Sequence, residues 1–314
     1  MKRKAIIISI KGTKLSRLEK ILFTKEKPWG VILFKRNLKT TKQIKKLTSQ
    51  IRNITKDKRF PIMIDEEGKN VSRLSDIIQH NFPANYFGTI MKIDKNLGSR
   101  FTKHYVNSLC EILKYLGINI NTIPVLDVLR TKTNKIIGNR SFSEDKKIVK
   151  RLGDLTIKYL HANKILGVIK HLPGHGFAYS DSHKRLPKVS LSLNKLNQTD
   201  FFPFKSSKAK LAMTAHILYS QIDKQYPATL SNKIVNNIIR KKLKFNGILI
   251  SDDISMKALK YDLLTNAKKS LDAGCNLVLY CSGNTNDNFK LIRSLPYIDK
   301  FTSKKTSEFY KFLR

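Results

Sequence analysis

The sequence predicts an α/β fold, a (β/α)8 TIM-type barrel built as a single domain over residues 1–314. Three observations carry the prediction. Eight short apolar runs recur along the chain. Longer amphipathic stretches alternate with them, the pattern of a parallel sheet covered by helices. No GxGxxG turn follows the first run, which weighs against a dinucleotide-binding sheet. Such a barrel needs roughly 250 residues, and the chain has 314, of which 41% are hydrophobic.

The candidate strands are residues 5–10, 30–34, 61–65, 119–122, 167–171, 211–215, 247–251 and 276–280. Helical patterns lie between them, at 41–54, 96–116, 145–163, 232–243 and 261–273. The start, Met1-Lys2-Arg3-Lys4 followed by an apolar run, resembles a secretory leader. That run holds only six residues before Lys11 and no small-residue cleavage site follows, so it reads as the first strand. No stretch approaches the roughly 20 apolar residues of a membrane span. The three cysteines, Cys110, Cys275 and Cys281, form no CxxC pair, and a reduced, cytoplasmic setting is expected. No linker or low-complexity segment divides the chain. Two connections are long, 66–93 and 172–192. Both begin at the carboxyl end of a predicted strand, the face where barrel active sites form.

Lys and Arg total 61 against 23 Asp and Glu, a net charge of +38. One reading is an anionic partner. The other is a solvated surface in a Lys-, Ile- and Asn-heavy composition. The lysines occur in groups along the whole chain (2–4, 42–46, 146–150, 241–244, 304–305), mostly on predicted outer helices and without interleaved aromatics. The surface reading is preferred. Neither nucleic acid nor a membrane is expected as partner, and a monomer is expected.

Polar residues collect at strand ends. Asp65 ends the third strand, Lys170 and His171 the fifth; His216 follows the sixth, and Asp252 and Asp253 the seventh. Any one of them could instead cap a helix or brace a loop. That alternative weakens for the whole set on one face. The most specific stretch is Lys170-His171-Leu172-Pro173-Gly174-His175-Gly176, followed by Asp181-Ser182-His183. Its Pro and Gly residues form a turn that returns the chain over the barrel mouth. A carboxylate at Asp181 would orient the His183 imidazole and favour its protonated form, suiting a general acid. In Ile248-Leu249-Ile250-Ser251-Asp252-Asp253 a buried strand delivers carboxylates to the rim, where one can face a substrate and the other start the next helix. Asp65-Glu66-Glu67-Gly68 with Arg73, and Gly138-Asn139-Arg140-Ser141-Phe142, add groups able to bind hydroxyl and acyl oxygens.

These stretches resemble glycoside hydrolase family 3, and most closely its single-domain bacterial β-N-acetylhexosaminidases. Residues 30–37, 124–128 and 271–275 agree in order and spacing as well. The resemblance implies Asp252 as nucleophile, His183 as acid/base oriented by Asp181, and Asp65, Arg73, Arg140, Lys170 and His171 as sugar contacts. It implies retaining hydrolysis of β-linked N-acetylglucosamine from peptidoglycan fragments, with no cofactor and no metal. A histidine donor repels anions less than a carboxylate would, so phosphate could replace water. One departure stands out: where the family carries Glu-Gly-Gly-Arg, this chain has Glu67-Gly68-Lys69-Asn70.

Two other readings are set beside it. A metal-dependent barrel hydrolase could use Lys170, His171, His175, His216 and Asp252 as ligands, but no HxH follows the first strand and no HExxH occurs. A non-catalytic barrel could bind nucleic acid or an anionic cell-wall polymer through its charge. That reading predicts steeply salt-dependent binding.

Overall fold

Successive side chains of a strand point to opposite sides of the sheet, and in this chain both sides are buried. Ile7, Ile32, Met63, Val168, Met213, Ile250 and Leu279 belong to one apolar cluster, inside the barrel. Their neighbours Ile6, Ile8, Val31, Leu33, Ile62, Ile64, Ile169 and Leu249 belong to another, under the outer helices. The computed structural model describes residues 2–79, 82–131, 133–134, 137–182 and 184–313.

The barrel strands are β1 (Lys4–Ser9), β2 (Pro28–Leu33), β3 (Ile62–Ile64), β4 (Ile120–Asn121), β5 (Leu166–Leu172), β6 (Leu211–Thr214), β7 (Ile248–Asp253) and β8 (Leu277–Tyr280). They pair in sequence order, all parallel, and β8 returns to β1 with Ile6 beside Val278 and Ile8 beside Tyr280. All eight sequence-predicted strands are present within a few residues of their expected bounds. The predicted helices appear as Thr41–Thr55, Lys95–Tyr115, Lys146–Ala162, Lys233–Lys242 and Leu263–Asp272. Thr41–Thr55 shows why such segments are helical: Ile44, Leu47, Thr48 and Ile51 form one buried stripe, and the Thr40 side chain caps the first turn.

The connection 66–93 is not one irregular loop. Glu66–Gly68 and Val71–Ser72 pair antiparallel, and a helix follows at Ala84–Ile93. That helix buries only Phe87, Gly88 and Met91, a stripe too short to stand out in the sequence. Asp94 then caps the longer helix Lys95–Tyr115, whose pattern is legible in the sequence.

A last helix, Lys300–Phe312, closes the amino-terminal end of the barrel. Its Phe309 ring lies 6.0 Å from Trp29, at the start of β2, and the buried Trp29 Nε1–H donates to Thr306 Oγ1 at 2.9 Å. Thr306→Val keeps the shape and leaves that N–H unpaired. Denaturant unfolding should show a loss of about 1–3 kcal/mol, and an unchanged midpoint would show that this bond contributes nothing.

Candidate functional site

The carboxyl ends of β3, β5 and β7 open on a cavity of about 380 Å³, lined by Asp65, Glu67, Arg73, Arg140, Lys170, His171, His175, Ser182, Asp252 and Asp253, with Phe34, Met213 and Met256 as apolar wall. Strand β7 delivers the first group. Its apolar part is buried, and its pairing with β8 shifts register between Ile250 and Asp253. There Ser251 Oγ accepts the Leu279 N–H at 2.9 Å. The Asp252 N–H reaches Thr214 Oγ1 at 3.3 Å, and Asp252 Oδ1 accepts the Asp253 N–H at 2.8 Å. Burial alone would raise the proton affinity of Asp252. His216, His171, the Asp253 amide and Lys170 outweigh it and hold this carboxyl below the usual range, so it is ionised at neutral pH.

Asp253 behaves differently. Burial, with Asp252 beside it, pushes its pKa up. Its oxygens accept from the Ser255 amide at 3.1 Å, the Ser255 hydroxyl at 2.7 Å and the Cys281 amide at 3.3 Å. Neither acid starts the next helix. Leu263–Asp272 is capped by Asp262, so the capping role expected for one member of the pair falls to a later residue, and Asp253 braces the turn instead.

Asp65 follows β3 directly. It pairs with Arg73 at 3.0 Å and Lys170 at 3.4 Å, and accepts from the Thr122 hydroxyl. Although burial opposes it, Lys170 and Arg73 hold this carboxyl well below the usual carboxylate range. Glu67 takes a two-pronged pair from Arg140, at 2.7 and 2.8 Å, and a third bond from Lys170 at 2.6 Å. Burial again opposes ionisation, and Arg140 with Lys170 lowers the Glu67 pKa to about 2. Lys170 therefore sits between two carboxylates, with Thr122 Oγ1 at 2.7 Å as a further partner.

The Lys170–His171 peptide is cis, as are Ile123–Pro124 and Leu172–Pro173. His171 Nδ1 lies 2.7 Å from Asp127 Oδ2, and Asp127 Oδ1 accepts the amides of His171 at 3.2 Å and His175 at 2.8 Å. Asp127, fully buried, thus fixes both the ring and the backbone that follows it. Burial lowers the His175 pKa to about 4, so its ring is neutral at pH 7.

Of the residues singled out in the sequence, Asp65, Arg73, Arg140, Lys170, His171 and Asp252 line this one cavity. Asp181 lies on the connection after β5, next to the cavity-lining Ser182. His183, and with it the Asp181–His183 pairing, lies outside the described residues. His216 does not line the cavity. It stands behind Asp252, with Nδ1 2.7 Å from Thr229 Oγ1 and Nε2 3.0 Å from the Asp253 carbonyl. Among the described residues no three His, Cys, Asp or Glu side chains gather so as to hold a metal ion, and His171 and His216 are engaged as above. In the altered segment, Asn70 lines the cavity whereas Lys69 points to solvent. The sequence does not show that Glu67, Asp127 and Thr122 hold Arg140, His171 and Lys170 in place. A carboxylate in the apolar run Pro124-Val125-Leu126-Asp127-Val128 is the available signal for Asp127.

Fold and cavity define the class first: a parallel barrel whose carboxyl-terminal face carries an ionised carboxylate opposite a wall of paired carboxylates and cations, suited to a polyhydroxylated substrate. The model of "Glycosyl hydrolase family 3 N terminal domain" matches residues 5–302. A beta-hexosaminidase of Haemophilus influenzae is 32% identical over 304 residues, covering 93% of this chain and 85% of that protein. One of Nitrosomonas eutropha is 30% identical over 282 residues, 88% of this chain and 80% of that protein. The crystal structure of NagZ from Neisseria gonorrhoeae in complex with N-trifluoroacetyl-D-glucosamine superposes with a TM-score of 0.90 at 29% identity, covering 100% of this chain and 90% of that one. The chain belongs to glycosyl hydrolase family 3 and is a glycoside hydrolase.

Proposed function

We propose that the chain is a retaining β-N-acetylhexosaminidase that releases terminal N-acetylglucosamine, with Asp252 as nucleophile. The observation that carries this reading is the ionised Asp252 carboxylate in a cavity that it shares with Asp65, Lys170, Arg73 and Arg140. The relatives named beta-hexosaminidase support it.

Asp252 attacks the anomeric carbon as the glycosidic oxygen leaves, and that oxygen takes a proton from His183. The glycosyl ester is then cleaved by water, whose proton returns to His183 as the Asp252 carboxylate departs. Two displacements retain the β configuration. Asp65, ionised and fixed by Arg73, offers carboxylate oxygens to sugar hydroxyls. Lys170, His171 and Arg140 present donors on the same wall. Asp181 orients the His183 ring. In this reading the chain is a single domain acting as a monomer in the cytoplasm, without cofactor, on muropeptide fragments. Among the described residues no helix is long and apolar enough to cross a membrane.

The test is hydrolysis of an aryl β-N-acetylglucosaminide beside the matching β-glucoside, followed by NMR. The expected result is release from the former, unchanged by a chelator, with the β-anomer of N-acetylglucosamine appearing first. An inert protein, or the α-anomer first, would remove the reading.

A further inference from the structure

We propose that Asp200, outside the substrate cavity, is a positioning residue that seats the turn after β5 and so sets the course of the segment leading to Asp181 and Ser182. The proposal rests on the glycosidase reading above. Asp200 is 1% exposed and does not line the cavity. It follows the short helix Leu193–Gln198, and its backbone and side chain are wedged into the turn. A Cβ added at Gly174 would come within 2.7 Å of the Asp200 carbonyl oxygen, and one at Gly176 within 2.3 Å of the Val128 carbonyl oxygen and 2.8 Å of Asp200 Oδ1. Gly174 also has φ +149°, which favours glycine. Asp200 fills the space left at Gly174, and shares that at Gly176 with the Val128 carbonyl.

The contacts are directional as well. Asp200 Oδ2 accepts the Phe177 N–H at 2.9 Å, and Arg130 Nη2 donates to Oδ1 at 3.3 Å. The Arg130 guanidinium lies 4.9 Å over the Phe177 ring, so one cation ties the carboxylate to the side chain whose amide it holds. The Tyr219 hydroxyl donates to the Gly174 carbonyl, and Thr133 Oγ1 donates to the Gly176 carbonyl at 2.6 Å. On the barrel side the His175 amide is held by Asp127. The turn therefore lies between two buried carboxylates. Asp127 also serves His171 in the cavity, whereas among the described residues Asp200 makes no bond to one that lines the cavity.

Such a seat depends on pH. Among the described residues the groups facing Asp200 are Arg130, the Phe177 amide, Tyr219 and, further off, Asp127. Burial, against the Phe177 amide and Arg130, raises the Asp200 pKa to about 6. Lifting the turn returns the carboxyl to water, where its pKa is about 3.9. The seated state then holds the proton more tightly than the lifted one. Protonation favours seating, and that contribution is lost as pH rises from about 4 to about 6.

Hydrogen exchange read by mass spectrometry on the full chain, with kinetics on two leaving groups, tests this. In Asp200→Ala, exchange in residues 174–182 should rise on the order of tenfold with the barrel strands unchanged. Its kcat should fall much more on the phenyl β-N-acetylglucosaminide, which needs a proton donor, than on the 2,4-dinitrophenyl one, with little change in KM. Asp200→Asn keeps an acceptor for the Phe177 amide and cannot ionise. It should restore activity and flatten the pH dependence of exchange that the wild type shows between about pH 4 and 6. If Asp200→Ala does not fold, Tyr219→Phe, which removes one hydroxyl from the same turn, should raise exchange over the same residues. Wild-type exchange at 174–182 in these variants, exchange raised throughout the chain, or equal losses on both leaving groups would overturn the proposal. The exchange arm needs no activity, so an inert wild type counts against the glycosidase reading alone.

Discussion

Asp252→Asn should lower kcat for an aryl β-N-acetylglucosaminide by at least 10³-fold, about 4 kcal/mol of transition-state stabilisation. The carboxylate supplies the electron pair that forms the bond to the anomeric carbon, and a neutral amide supplies it poorly. The substitution is otherwise small. An amide oxygen can still accept the Asp253 N–H that Asp252 Oδ1 accepts now, and the backbone bond to Thr214 is untouched. The melting temperature should therefore stay close to wild type, which separates lost chemistry from lost fold. KM should change less than kcat, because Asp65, Arg73, Arg140, Lys170 and His171 remain in place. A variant that hydrolyses as fast as the wild type would take the nucleophile role from Asp252.

The position of Asp252 is legible in the sequence because it depends on local rules. A buried apolar run ends in a polar residue, and in a parallel barrel every such end points to the same face. The same logic places Asp65, Lys170 and His171 correctly. What the sequence hides are pairings between distant segments. Glu67 and Arg140 are separated by 73 residues, and His171 and Asp127 by 44. No periodicity links such positions, so the sequence does not show that Glu67 and Asp127 fix Arg140 and His171. The helix-capping role expected of the Asp252–Asp253 pair fails for a related reason. The sequence shows two adjacent acids before a helix, but the turn that Asp253 braces is closed by the Cys281 amide from beyond β8. The charge excess lies away from the cavity: Arg73, Arg140 and Lys170 are each matched by Asp65 or Glu67.

That matching makes Lys170→Met the most informative test of the sugar-facing wall. The Lys170 side chain is 3% exposed and bridges Asp65 and Glu67, themselves 15% and 6% exposed. Methionine fills similar space and leaves two buried carboxylates short of a cation, a change that costs about 3–5 kcal/mol when a buried pair is broken. Hydrolysis should fall as well, since the wall loses a donor. The pH dependence gives the diagnostic signature. Asp65 lies below the usual carboxylate range and Glu67 at about 2 in the fold, against about 3.9 and 4.3 in an unfolded chain. Their contribution is therefore present above about pH 4 and is lost as pH falls toward 2. Without Lys170 the depression is smaller, although Arg73 and Arg140 still supply part of it. The stability gap between wild type and variant, measured by urea unfolding, should be widest near pH 7 and narrow as pH drops through 4. A gap that stays constant with pH would mean that methionine merely packs badly, and that Lys170 does not hold the two carboxylates ionised.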